Sequence, residues 1–215
     1  MAHGVAVPSI RLYDTATWKP TRTLRTTGRK RVLLMKNGWL ITAPYGSHLL
    51  AMPPEGQGAV VELTPSYYVD ATLTADAGTA YVLSRLGRID RIDSGAPPRL
   101  VPFLVDRSAR RIATDPLGKW LAVARRRNLV VIPTAGGPRT TIQMGDGLVY
   151  DIALSRGARY VAVGNLRRTA RVWRVADRTL VAVLRGHSKR VSHVSFDRSG
   201  EQLLTASWDG TARLW

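Results

Sequence analysis

An internal repeat is the feature that most constrains how this chain can fold. The segments 149–173 and 191–215 align without a gap, so that Trp173 falls on Trp215, 42 positions further along the chain. The apolar positions of the two segments coincide as well. Self-similarity at a fixed spacing of this size is typical of repeat architectures, in which one supersecondary unit is copied in tandem.

The repeat extends through the rest of the chain. Residues 11–25 align without a gap with residues 171–185, which lie 160 positions later, or four units of about 40 residues. Weaker copies with an aromatic residue at or near the start of a short apolar run fill the interval, at 37–42, 79–84, 119–124 and 159–164. We therefore expect about five units.

Each unit is built from short strand-like runs rather than helices. Apolar runs of four to seven residues, rich in Val, Leu, Ile, Thr and Tyr, alternate with turn clusters such as Lys36–Gly38 and Asp209–Thr211. Such runs with Gly, Asn or Asp between them are typical of antiparallel strands. A repeat of about 40 residues made of such strands predicts an all-β propeller with four strands in each blade.

Composition narrows the class of protein. The hydrophobic fraction is 45%, which is enough for a packed core, and the chain has no cysteine, which excludes disulfides, thiolate metal sites and cysteine nucleophiles. The apolar runs are far shorter than the ~20 residues that span a bilayer. The first ten residues lack the pattern of a secretory signal, so we expect a cytoplasmic protein.

The charge is strongly positive. Lys and Arg number 32 against 15 Asp and Glu, a formal net charge of +17. Such a balance favours acidic partners and contacts with nucleic acid, although an arginine-rich composition can also be a general property of a genome.

The last unit carries the most specific motif. It contains Gly186-His187, a strand pattern from Val191 to Phe196, and Ser207-Trp208-Asp209-Gly210-Thr211 followed by a terminal Arg-Leu-Trp. This sequence closely resembles a WD-repeat β-propeller blade. The resemblance is strong for residues 146–215 and 11–25 and weaker between them. It implies four strands per blade, named a to d, with a near 191–196, b near 202–207 and c near 212–215.

The resemblance also implies a structural tetrad. In such blades four side chains join the d–a loop, strand b, the b–c turn and strand c through hydrogen bonds, and the matching positions here are His187, Ser207, Asp209 and Trp215. We interpret Ser207, His187 and Asp209 as part of this tetrad rather than as a catalytic triad. Other units have Asn165 and Arg167 in place of Ser207 and Asp209, and Thr27 in place of His187, so we expect those blades to depend on packing alone.

The blades assigned on this basis do not make a complete ring. Strands c and d are expected within 8–27, full blades at 30–66, 67–106, 107–145 and 146–187, and a blade without strand d at 188–215. Two interpretations remain. We favour a fragment or open ring of a larger propeller, for which seven blades are usual in this family. In the alternative, a strand near Thr21–Thr26 completes the last blade and closes a five-bladed ring.

Many of the basic residues map to one face. In propellers of this kind partners usually contact the face made by the b–c and d–a loops. The residues expected there, which we call the loop face, are Arg29, Lys30, Arg31, Arg110, Arg111, Arg125, Arg126, Arg127, Arg167, Arg168, Lys189, Arg190 and Trp208. We expect this face to attract an acidic protein partner, because Trp and Arg are frequent anchors at interfaces.

These observations lead to one preferred function and two alternatives. We expect a noncatalytic scaffold, sensor or docking module for protein partners, with no cofactor and no metal, since His3, His48, His187 and His193 lack ligand spacing. The first alternative is a propeller that binds nucleic acid through the same face. The second is a propeller hydrolase, for which no convergent set of acids or histidines is evident. The oligomeric state is left open.

Overall fold

The computed structural model describes residues 9–13, 16–25, 30–44, 48–54, 59–64, 67–145 and 148–215. Within these ranges the chain is built of β-strands, with a single turn of 3-10 helix at Arg156–Ala158. The described part of the chain contains no helix long and apolar enough to cross a membrane. The prediction of an all-β fold is therefore confirmed.

The strands form antiparallel sheets that follow one another in chain order. The first sheet has two strands, the next four sheets have four strands each, and the last has three. The strands are β1 Ser9–Tyr13 and β2 Pro20–Arg25; β3 Lys30–Leu34, β4 Leu40–Pro44, β5 Leu49–Met52 and β6 Val61–Thr64; β7 Tyr68–Leu73, β8 Thr79–Ser84, β9 Arg88–Asp93 and β10 Arg99–Val105; β11 Arg111–Thr114, β12 Trp120–Ala124, β13 Asn128–Pro133 and β14 Thr140–Gln143; β15 Val149–Leu154, β16 Tyr160–Asn165, β17 Thr169–Arg174 and β18 Leu180–Arg185; β19 Val191–Phe196, β20 Leu203–Ser207 and β21 Ala212–Leu214.

Every sheet is a meander, in which each strand pairs with the next along the chain. Within the last two sheets, Val149 lies opposite Asn165 and Val191 lies opposite Ser207, so their registers agree as the repeat requires. Short turns with glycine in the left-handed region permit the meander. Gly210 has φ of 84°, which other residues adopt only at a cost, and it closes the predicted Asp209-Gly210 turn.

Apolar side chains fill the space between successive sheets. One cluster joins the sheets β3–β6 and β7–β10, a second joins β7–β10 and β11–β14, a third joins β11–β14 and β15–β18, and a fourth joins β15–β18 and β19–β21. The central strands β8, β12 and β16 are buried almost throughout, because each is covered on both faces. The five sheets from β3 to β21 therefore stack face to face in sequence order, as propeller blades do.

Hydrogen bonds also join the first strands of successive sheets. Asp70 accepts the backbone N–H of Ile112 at 2.9 Å, and Asp151 accepts that of Val194 at 3.0 Å. These bonds run between equivalent strands of neighbouring blades. The expectation that blades other than the last depend on packing alone is thus wrong, because buried carboxylates tie adjacent sheets together.

The sheets do not close into a ring. Among the described strands, β2 pairs with β1 from Pro20 to Arg25, and no ladder joins β2 to β21. The five-bladed closure considered from the sequence is therefore not observed. A hairpin between neighbouring strands closes a short loop, which costs less chain entropy than bringing the two ends of the chain together.

Candidate protein-interaction face and its supporting network

A chain of hydrogen bonds holds the last sheet together. Trp215 Nε1 donates to Thr205 Oγ1 at 2.9 Å, Thr205 Oγ1 lies 2.8 Å from His187 Nε2, and His187 Nδ1 lies 2.9 Å from Asp209 Oδ2. An indole N–H can only donate, so Thr205 Oγ1 accepts from Trp215 while it also contacts His187 Nε2. His187 Nδ1 faces the Asp209 carboxylate, which can only accept, so Nδ1 carries a proton directed at Asp209.

Thr205, rather than Ser207, occupies the tetrad. Ser207 Oγ instead donates to the backbone carbonyls of Lys189 and Arg190, at 3.1 and 2.9 Å. The register explains the difference. Trp215 pairs through its backbone with Leu203, which places Thr205 diagonally beside the indole and Ser207 about 13 Å from Leu203 along the strand.

The hydrogen-bond partners of Ser207 and His187 also distinguish this network from a catalytic triad. Ser207 and His187 have different hydrogen-bond partners, and Ser207 donates its hydroxyl to main-chain carbonyls. The pair therefore lacks the nucleophile-to-base hydrogen bond that a triad needs. In the described ranges, no group of three or more His, Cys, Asp or Glu side chains is arranged to hold a metal ion.

Asp209 is the most strongly perturbed acid of this network. The Thr211 hydroxyl, the backbone N–H groups of Thr211 and Ser188, and His187 all donate to its carboxylate, and together they outweigh burial and hold its pKa well below the usual range. Asp209 therefore remains an anion at neutral pH, as the Nδ1–H of His187 requires.

The network positions the b–c turn against the d–a loop of the same sheet. Ser207 joins strand β20 to the carbonyls just before β19, and Trp208 N donates to Arg190 O at 3.1 Å. Two earlier sheets make the equivalent backbone bond, from Leu166 N to Leu148 O and from Arg85 N to Tyr67 O. The b–c turns and d–a loops therefore lie side by side at one end of these sheets.

The structure places the predicted loop-face residues in several environments. Arg29 lies outside the described residues, and Lys30 and Arg31 begin strand β3. The exposed members are Arg110, Arg126, Arg127, Arg167, Arg168, Lys189 and Trp208, and the half-buried members are Arg111, Arg125 and Arg190. Asp146 also lies outside the described residues.

One predicted loop-face arginine is already paired. Arg125 Nε lies 2.8 Å from Asp106 Oδ2, whose side chain is 9% exposed. Burial raises the pKa of Asp106, but the hydrogen bonds from Ser108 and Arg125 outweigh it and leave the pKa lowered. Arg125 therefore belongs to the packing between loop and turn in its own sheet.

Sequence reasoning missed Tyr150 on this face. Its ring lies 6.3 Å from that of Trp208 in an edge-on arrangement, and its backbone carbonyl accepts Arg111 Nε at 2.6 Å. Arg190 contacts both rings, with its guanidinium carbon 3.1 Å from the Trp208 centroid and 5.2 Å from that of Tyr150. Tyr150 is an aromatic residue at the second position of strand β15, so the sequence alone could have drawn attention to it. Its partners Arg190 and Trp208, however, lie 40 or more residues away along the chain.

Comparison with known proteins agrees with this architecture. The family model described as "WD domain, G-beta repeat" matches residues 178–215. Residues 178–215 are therefore similar to a WD repeat. The predicted resemblance is thus confirmed where its motif is strongest, and the WD-repeat segment contains the whole Thr205–His187–Asp209–Trp215 network.

Two relatives share part of the chain. Telomerase protein component 1 from Rattus norvegicus is 30% identical over 111 residues, which cover 51% of this chain and 4% of that protein. Guanine nucleotide-binding protein subunit beta-5b from Danio rerio is 36% identical over 73 residues, which cover 33% of this chain and 18% of that protein. The matches thus span less than a fifth of either relative.

Proposed function

We propose that this chain is a noncatalytic protein-interaction module whose loop face docks an acidic protein partner. WD repeats and the relatives named above support an interaction scaffold in general. The acidic nature of the partner is inferred from the charges of the loop face.

A set of unneutralised arginines is the observation that carries this proposal. Arg126, Arg167 and Arg168 are exposed in the b–c turns, and no carboxylate of the described residues pairs with them. Arg125, in contrast, is paired with Asp106, and Arg174 with Asp177. Free positive charge grouped at one end of the sheets speeds encounter with an acidic surface and selects against basic ones.

A matched pair of charge reversals tests the proposal. The triple variant R126E/R167E/R168E reverses the loop face. The control R99E/R139E/R178E makes the same charge change at exposed positions at or near the c–d turns, which lie at the opposite end of strand c. Proteins captured from a nuclease-treated extract and identified by mass spectrometry should be lost with the first variant and retained with the second.

Two outcomes would contradict the proposal. Equal loss with both triples would mean that only net charge matters and that no face is selected. Loss of all capture on nuclease treatment would favour the nucleic-acid alternative, and binding of an oligonucleotide would then fall steeply with salt.

A further inference from the structure

Three side chains from three separate segments meet on the loop face. Tyr150 lies at the start of β15, Arg190 comes just before β19, and Trp208 follows β20 in the b–c turn. The guanidinium carbon of Arg190 lies 3.1 Å from the Trp208 centroid and 5.2 Å from the Tyr150 centroid. We call these three residues the arginine stack.

Stacking orders the Arg190 side chain without satisfying its donors. A guanidinium donates in its own plane, so the Trp208 ring against one flat face leaves N–H groups free to bind a planar oxyanion. No carboxylate of the described residues pairs with Arg190, whereas Arg88, Arg91, Arg125 and Arg174 each have an aspartate partner.

The acids that adjoin Tyr150 and Trp208 in the sequence already have hydrogen-bond partners. Asp151, next to Tyr150, lies 2.7 Å from His193 and also accepts the N–H of Val194. Asp209, next to Trp208, accepts from His187 and Ser188. Neither acid pairs with Arg190, so its charge is available to a group from outside the chain.

The fold does not require the stack. The backbone bond from Trp208 N to Arg190 O recurs between Leu166 and Leu148 in the preceding sheet, where two leucines replace the tryptophan and the arginine. The strand ends are therefore held in the same way with or without an Arg–Trp contact. Trp208 is also 54% exposed, so much of its ring contacts solvent.

We propose that the arginine stack is a subsite for a side-chain carboxylate of an acidic segment in the protein partner, with an adjacent apolar side chain packed on the exposed part of Trp208. The inference rests on the proposed function and specifies its contact. Arg190 supplies the two-pronged hydrogen bond, and Arg111, whose Nε is held by the Tyr150 carbonyl, adds positive charge beside it. Burial of Trp and Arg in such a contact gives interface anchors their large effect.

A defined peptide tests the subsite. The probe is the acetylated and amidated hexapeptide Gly-Asp-Leu-Asp-Leu-Gly, titrated into the whole chain while the indole N–H signal of Trp208 and the Nε–H signal of Arg190 are followed by NMR. Both signals should move. R190K keeps the charge but loses the planar fork and the stacking, so it should weaken binding at least about tenfold. R139K, at an exposed position near a c–d turn, is the matched control and should change binding less than about twofold.

Several results of this titration would contradict the inference. If R190K and R139K bind the peptide alike, or if Gly-Asn-Leu-Asn-Leu-Gly binds as well as the acidic peptide, diffuse charge or apolar contact is enough and the subsite is wrong. If replacing the acids with phosphoserine tightens binding tenfold or more, the subsite takes phosphate. If the peptide moves neither signal, or if a short single-stranded oligonucleotide competes more tightly, the inference fails.

The two proposals fail separately. If the triple variant R126E/R167E/R168E loses capture but R190K binds the peptide normally, the docking face is supported and the subsite is wrong. Capture that is unaffected by the triple variant would remove the docking face. W208L, which reproduces Leu166 of the preceding sheet, gives a second test if R190K alters the fold, and should also weaken binding.

Discussion

The last sheet and the sheet before it have the same register but stabilise their b–c turns differently. In the last sheet Asp209 accepts the N–H and the hydroxyl of Thr211. It also pairs with His187, which in turn contacts Thr205. In the preceding sheet Asn165 Nδ2 donates to the Thr169 hydroxyl at 2.9 Å, and Asn165 Oδ1 accepts the N–H of Arg167.

The difference shows that a buried network is one of several ways to close the same blade. The preceding sheet is covered on both faces, and its strand β16 is almost wholly buried. The last sheet is packed on one side by the cluster around Val191 and Val194, and its strand β21 is exposed along its length. We infer that the polar network contributes most where apolar cover is least, since less buried surface is available there.

The largest effect is expected from T205V. The change keeps the shape of the side chain but leaves the buried His187 Nε2 without a partner, which costs about 1–3 kcal/mol, and it also removes the acceptor of the partly exposed Trp215 indole. The expected total is about 2–3 kcal/mol, seen in native-state hydrogen exchange as lost protection of β20 and β21. S207A, the control, should cost only about 1 kcal/mol. Equal costs for T205V and S207A would restore Ser207 to the network.

G164A should have the next largest effect, because it tests the contact between the two sheets. A methyl group on Gly164 would lie 3.0 Å from both Val191 Cγ1 and Val191 O, which belong to the last sheet. Overpacking of this kind costs about 1–3 kcal/mol, and we expect about 1–2 because one valine can rotate. Denaturant unfolding should show the loss. An unchanged midpoint would mean that the last sheet does not depend on the close packing of its neighbour.

The smallest change near neutral pH is expected from titration of Asp209. Its pKa is lowered on folding, so its contribution to stability is complete above the unfolded-state pKa of about 4 and is lost as the pH falls toward the folded pKa. Amide protection in β20 and β21 should therefore be flat from about pH 7 to 5 and fall below about pH 4.

A variant pair separates this effect from general acid unfolding. D209N should remove most of the pH dependence of the last sheet. D177N is the control, because Asp177 has a lowered pKa through the Thr179 N–H and Arg174 but lies in an exposed turn of the preceding sheet. If D177N flattens the profile of β20 and β21 as much as D209N does, the link to His187 is wrong.

Much of the architecture follows from local sequence. Strand β19 runs from Val191 to Phe196 as predicted, and the Asp209-Gly210 turn follows β20 as its composition requires. Two local signals predict these elements: the alternation of apolar residues in strands and the glycine residues in turns. Each signal involves only a few consecutive residues, so it can be identified in one unit and checked against the copies of that unit.

The side-chain partners could not be obtained in this way. Thr205 and Ser207 lie two positions apart on one strand and point to the same face, so the residue pattern alone does not show which hydroxyl meets Trp215. Arg125 and Arg126 are neighbours in one turn, yet only Arg125 reaches Asp106. Pairing of this kind depends on distances of about 3 Å between atoms from separate segments.

The sequence by itself determined the tandem unit of about 40 residues, its meander of strands and the concentration of arginine near the b–c turns. Only the tertiary structure decided that Thr205 completes the network, that β2 pairs with β1, and that Arg190 packs against Tyr150 and Trp208. The physical reason is the separation along the chain of the residues that interact. Strand periodicity and turn chemistry are properties of consecutive residues, whereas hydrogen bonds and stacking depend on how distant segments are brought together by the packing of whole sheets.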